Sequence, residues 1–186
     1  MNARIATLFL ALALALTATG CGTVYKAAVD ERSLGTQKAD KTISATIMKR
    51  YLDDADMSVL GIEPYTFTGH VYLVGEYASA VQQTKAVSIA KAVEGVTGVT
   101  TYLLPEKDDP ACGTTDNLGI LAKVDAALIG DGDIWSTHVE VKVVQCQVVL
   151  LGLVATQAEM DKSIAHAKAV EGVRSVKSYL RVARKP

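Results

Sequence analysis

Groups able to do chemistry are few in this chain, and their spacing decides what they can do. The 186 residues include three histidines and three cysteines. His70, His138 and His166 fall in three different kinds of local context and form no ligand pattern. Asp53-Asp54 with Asp56, and the run Gly130-Asp131-Gly132-Asp133, are acidic enough to attract a metal. Both lack the later oxygen ligands and the bidentate glutamate that complete a calcium loop. The first reads as a solvated helix end and the second as a plain turn. There is no Gly-rich phosphate loop ending in Lys and Ser, no His-Glu-x-x-His and no Gly-x-Ser-x-Gly elbow. The expectation is a protein without enzymatic activity, cofactor or metal. With a net charge of −1, two phenylalanines and no aromatic-plus-basic stripe, nothing favours nucleic acid as a partner.

The elements that position these residues occur twice. Ala92-Val93-Glu94-Gly95-Val96 returns as Ala169-Val170-Glu171-Gly172-Val173, and from 71 to 104 against 148 to 181, 15 of 34 positions are identical at an offset of 77. That is a duplicated domain rather than a solenoid array. Each copy has about 65–70 residues, near the lower limit for a self-sufficient core, so the copies are expected to lean on each other. An apolar fraction of 49% excludes a disordered chain.

In the first copy, Ile43, Ile47 and Tyr51 at spacing four predict a helix over about Lys41 to Leu52, with Asp40 as N-cap. Strands follow at Ile62 to Thr68 and His70 to Gly75 around the turn residue Gly69, with Pro64 marking an edge. A helix over about Ala78 to Glu94 ends at Gly95, and a strand from Val99 to Leu104 pairs in parallel after a right-handed crossover. The second copy repeats this order. A helix over about Leu118 to Ile129 buries Ile120, Val124, Ala127 and Leu128. Then come strands at Val139 to Val143 and Val148 to Gly152, a helix over about Ala158 to Glu171 and a last strand from Val176 to Val182. The fold class is α+β, with two tandem αββαβ domains, each a three-stranded mixed sheet packed on two helices. The divisions are 1–20 targeting segment, 21–39 tether without helical or strand period, 40–104 first domain, 105–116 linker, 117–182 second domain and 183–186 basic tail.

The targeting segment has Arg4, then an apolar run from Ile5 to Leu16 broken by Thr7, too short to span a bilayer. Ala18-Thr19-Gly20 before Cys21 resembles a bacterial lipobox. That resemblance implies cleavage after Gly20 and acyl chains on Cys21, and Gly22 in the next position favours the outer membrane over the inner. Position 18 departs from the usual leucine. Two cysteines remain after processing. An even remainder in an exported chain suggests a Cys112–Cys146 disulfide pinning the linker to a hairpin tip; the alternative is two free thiols.

The pattern Val71-x-Leu73-x-Gly75, about seventeen helical residues, then Val93-Glu94-Gly95-Val96-x-x-Val99-x-x-Tyr102-Leu103 resembles the BON domain, and it recurs from Val148 to Leu180. Two such domains behind a lipobox, with the tether Asp30-x-Arg32-Ser33-x-Gly35-Thr36-Gln37-x-x-Asp40, resemble the dual-BON outer-membrane lipoproteins. The resemblance implies a periplasmic, lipid-anchored protein that binds anionic phospholipid through its second domain and supports envelope integrity. A tethered adaptor for other envelope proteins is the alternative. The first helix of the second copy carries the expected lipid site: Leu118, Leu121, Ala122, Lys123 and Ile129, with Trp135 beyond its end. At the 77 offset Lys41 becomes Leu118, Ser44 becomes Leu121 and Lys49 becomes Ala126, so this helix is apolar on two faces. Its outer face either meets lipid headgroups or is covered by the first domain. The family's helix has a tryptophan near its start, where this chain has Gly119.

Overall fold

The computed structural model describes residues 33–57, 61–109 and 111–183. The targeting segment, Cys21, most of the tether and Arg184-Lys185-Pro186 lie outside them. Each half of the chain has the same five elements. In the first half these are α1 (Leu34–Leu52), β1 (Ile62–Phe67), β2 (His70–Tyr77), α2 (Ala80–Lys91) and β3 (Gly98–Pro105). The second half has α3 (Thr114–Gly130), β4 (Val139–Val144), β5 (Gln147–Val154), α4 (Gln157–Ala169) and β6 (Ser175–Val182). The sheet orders are β1-β2-β3 and β4-β5-β6, with an antiparallel hairpin and then a parallel pair in each.

The first helix starts seven residues before the expected Lys41. Ser33, not Asp40, is its cap, its hydroxyl accepting from the Thr36 N–H at 3.1 Å. The inward face continues upstream through Gln37 and Asp40, which are polar and buried, so no hydrophobic period marks it. Asp40 serves another purpose. Its carboxylate accepts from the N–H groups of Thr68 and Gly69 at 2.8 Å each, holding the tip of the β1–β2 hairpin. Asn117, at the same place in the second copy, accepts from the Cys146 N–H at 2.8 Å. Both tips are two-residue loops with positive φ at both positions, Thr68 (52°) and Gly69 (78°), then Gln145 (50°) and Cys146 (58°). That geometry matches the right-handed twist of the flanking strands. α3 likewise begins earlier than expected, at Thr114, taking the end of the linker into the helix. The Asp116 carboxylate accepts from the Gly113 N–H at 2.8 Å. α2 stops at Lys91, and Gly95 (φ 86°) sits in the turn beyond rather than capping the helix directly. Gly75 and Gly152 are required: a Cβ there would lie 1.8 Å from the Gly61 carbonyl oxygen and 2.0 Å from that of His138.

Among the described residues, three cores hold the chain together. Ile43, Ile47, Tyr51, Val71 and Leu73 fill one between sheet and helices in the first half. Ile120, Val124, Leu128, Val148 and Leu150 fill its counterpart. The third joins the halves. Tyr72 and Val74 of β2 meet Val144, Val149 and Leu151, with Tyr65, Phe67, Tyr102 and Tyr179 around them. The two sheets therefore face each other, with α1 and α2 outside one and α3 and α4 outside the other. Polar contacts cross the same seam: Tyr102 donates to Gln147 at 2.7 Å, Gln145 to Glu76 at 2.6 Å, and Arg181 to Thr68 at 3.2 Å.

Candidate functional site

α3 leaves large apolar side chains uncovered near both of its ends. Ile120, Val124 and Leu128 bury its inner stripe. Leu118 and Ile129 are 61% and 71% exposed, although both are large and apolar. Eleven residues apart, they lie about 16 Å from each other and about 20° apart around the helix, so they share one stripe. Ala122, also exposed, lies between them. The first domain leaves most of Leu118 and Ile129 in water, since the domains meet through their sheets. Leu121 leaves the expected site: it is half-buried against the second core. Lys123 is exposed but turned about 140° from Leu118.

Trp135 stands off the helix, in the connection to β4, and is 51% exposed. Its backbone N–H donates to the buried Glu159 carboxylate at 2.8 Å, and its ring lies 5.5 Å from that of His138. The preceding turn is tied to α4. Asp131 meets His166 at 2.9 Å and Lys162 at 3.5 Å, and Asp133 meets Lys162 at 2.5 Å. The His166 hydrogen bond, first among several, holds the Asp131 carboxyl below its ordinary range. These aspartates are thus spent on α4. Asp54 and Asp56 are likewise spent on Lys85, at 2.7 and 2.6 Å. No cluster of three or more metal-ligating side chains occurs among the described residues.

Cys112 and Cys146 are joined in the structure, Cα atoms 5.9 Å apart, which ties the segment before α3 to the β4–β5 tip. Cys146 thereby holds a left-handed position where the first copy has Gly69. Nothing in the sequence pattern singled out Glu159 or Asn117, and Asp40 was expected as a helix cap rather than as the holder of a hairpin tip. The signal for the last two was their alignment at the 77 offset, opposite matching hairpin tips.

The BON domain family matches residues 39–104 and 116–184, which cover both repeats. The chain belongs to the BON domain family. It is 33% identical over 144 residues to Osmotically-inducible protein Y of Escherichia coli (strain K12), covering 76% of this chain and 72% of that protein. It is 28% identical over 172 residues to Outer membrane lipoprotein DolP of Haemophilus influenzae, covering 92% of this chain and 89% of that one. A solved structure of CdsD, a structural protein of the type III secretion system of Chlamydia trachomatis, aligns at a TM-score of 0.33 and 10% identity, over 75% of this chain and 91% of that one. The two BON domains here are built alike but differ in the charge of their first helices: three lysines and an arginine on that of the first, one lysine on that of the second.

Proposed function

We propose that this BON-domain protein is a lipoprotein of the outer membrane, anchored through Cys21 at the periplasmic face, whose second domain binds phospholipid through α3. The observation that carries the reading is the exposed stripe of Leu118, Ala122 and Ile129. Large apolar side chains left in water on one helix face mark a contact surface. An amphipathic helix lying in the headgroup region uses such a face, and an exposed indole favours the same interface. The similarity to a protein named as an outer membrane lipoprotein, over most of both chains, supports the location.

Among the described residues no helix is long and apolar enough to cross a membrane. In this reading attachment rests on acyl chains at Cys21, and α3 adds a second, reversible contact. Support for envelope integrity is the role that the resemblance to dual-BON outer-membrane lipoproteins implies. The test uses the processed, unlipidated chain (residues 21–186 with Cys21→Ser) and protein-free liposomes. Leu118→Glu and Ile129→Glu are expected to abolish co-sedimentation while leaving the melting temperature nearly unchanged, since both side chains already face water. If both variants fold and bind as the unaltered chain does, α3 is not the membrane face. If the unaltered chain itself fails to bind, the adaptor reading replaces this one.

A further inference from the structure

The α3 stripe is apolar, yet the only lysine on that helix points away from it, so α3 by itself gives an anionic surface little to attract. The first helix of the other domain has what α3 lacks. α1 carries Lys38, Lys41, Lys49 and Arg50, and its one acidic residue, Asp40, is buried under the hairpin tip. Lys49 pairs with Asp53 at 2.6 Å just past the helix end. Lys38 and Lys41 stand exposed in the first half of the helix. Leu34 and Leu52, at the two ends of α1, are 75% and 62% exposed. Eighteen residues apart, they differ by no more than a few degrees around the helix, and Lys38, Lys41 and Ala45 fall on the same side within about 40°. Leu52 and Ala45 are the 77-offset equivalents of Ile129 and Ala122.

The two first helices also flank one edge of the molecule. α1 packs over β1, and α3 over β4. β1 and β4 lie against each other across the seam. Lys142 is 3.6 Å from Glu63, and its ammonium sits 4.8 Å from the centre of the Tyr65 ring. A groove lined by Ala45, Met48, Leu52 and Pro64 ends at Glu63 and Tyr65. A second groove starts at the same two residues and reaches Leu118. The two grooves share Glu63 and Tyr65, so one depression runs from Leu118 of α3 to Leu52 of α1, apolar on the α1 side and lined by Glu63, Glu76 and Lys142 where it crosses the domain seam.

We infer that α1 is a second membrane-contact element, and that Lys38 and Lys41 give the protein its preference for bilayers containing anionic phospholipid. The inference rests on the α3 reading for the kind of surface bound. α3 supplies insertion without charge. α1 supplies apolar ends with cations between them, and both meet one bilayer along the β1/β4 edge. A lysine near an anionic membrane surface contributes about fivefold in affinity, so the pair accounts for about 25-fold.

The test measures binding of the processed, unlipidated chain to vesicles of phosphatidylcholine alone and to vesicles with phosphatidylglycerol added. The double variant Lys38→Gln/Lys41→Gln is expected to lose about 25-fold on the anionic vesicles and nothing on the neutral ones. Leu52→Glu is expected to weaken binding to both by about tenfold or more. Leu34→Glu gives a second reading on the same face should Leu52→Glu lower the melting temperature. If these variants bind both vesicles as the unaltered chain does while Leu118→Glu does not bind, α1 is no contact element and the α3 reading stands alone. If Leu118→Glu binds normally and Leu52→Glu does not, α1 is the contact and the α3 reading fails.

Discussion

Leu150 and Leu151 are neighbours in β5, and both are completely buried. Successive side chains of a strand point to opposite faces. Leu150 belongs to the core under α3 and α4, and Leu151 to the core between the sheets. Truncating a fully buried leucine to alanine costs about 2–5 kcal/mol, including the cavity left behind. Both Leu150→Ala and Leu151→Ala are therefore expected to be strongly destabilising. With a urea m-value of about 2 kcal/mol/M, each shifts the unfolding midpoint down by roughly 1–2.5 M. Both halves are expected to unfold in one transition, because they share the third core. Equilibrium urea denaturation followed by circular dichroism and by tyrosine fluorescence reads the two values. A midpoint shift for Leu151→Ala near zero, beside a large one for Leu150→Ala, means that this sheet face is wet and the domains do not pack through it.

Asp40→Ala and Asn117→Ala remove the acceptors that hold the hairpin tips. A hydrogen bond to a carboxylate contributes about 1.5–3 kcal/mol and one to a neutral acceptor about 1 kcal/mol, so Asp40→Ala, which loses two of the first kind, is expected to lower the melting temperature more than Asn117→Ala, which loses one of the second. Arg174 lies 2.7 Å from Asp109, and its hydrogen bond, the largest cause, holds that carboxyl at about 2, below its ordinary 3.8. A depressed carboxyl adds stability that is full above the unfolded value and is lost as pH falls through the folded one. Carboxyl titration by NMR should find Asp109 near 2, and Arg174→Ala should return it toward the ordinary value and remove its part of the acid destabilisation between those two values. For the disulfide, alkylation of unreduced protein followed by mass spectrometry should find no modified Cys112 or Cys146. Reducing a bridge that spans 34 residues should cost about 3–4 kcal/mol of stability, read as a lower urea midpoint, and two alkylated thiols without reduction would exclude it.

The parts of the fold legible in the sequence are those where one physical signal acts alone. Ile43, Ile47 and Tyr51, like Ile120, Val124 and Leu128, repeat at spacing four and are buried as that spacing requires. The start of α1 was hidden because its inward positions are Gln37 and Asp40, chosen for hydrogen bonding rather than for apolar burial. The sheet-to-sheet seam was half visible. In β4 the alternation of Val139, Val141 and Val143 with Glu140 and Lys142 predicts one wet face, and Lys142 does reach that face to meet Glu63 and Tyr65. The central strands say otherwise: Val71 to Val74 and Val148 to Leu151 are continuous apolar runs, the pattern of strands buried on both sides. In the candidate site, Leu118, Ala122 and Ile129 follow from helical spacing alone. Leu121 and Lys123 do not, because a helix with a narrow inner stripe leaves their sides to be settled by neighbours that only the fold supplies.

The central claim is that this side of the second domain meets lipid, and the chain's single tryptophan, exposed at position 135 just beyond α3, reports on it without competing signals. The direct measurement is Trp135 fluorescence of the processed, unlipidated chain titrated with liposomes, with and without brominated acyl chains. Contact at the headgroup boundary predicts a blue shift on adding liposomes and strong quenching by bromines placed near the headgroups. An emission maximum that does not move, with no quenching at lipid concentrations that sediment the protein, would contradict the account.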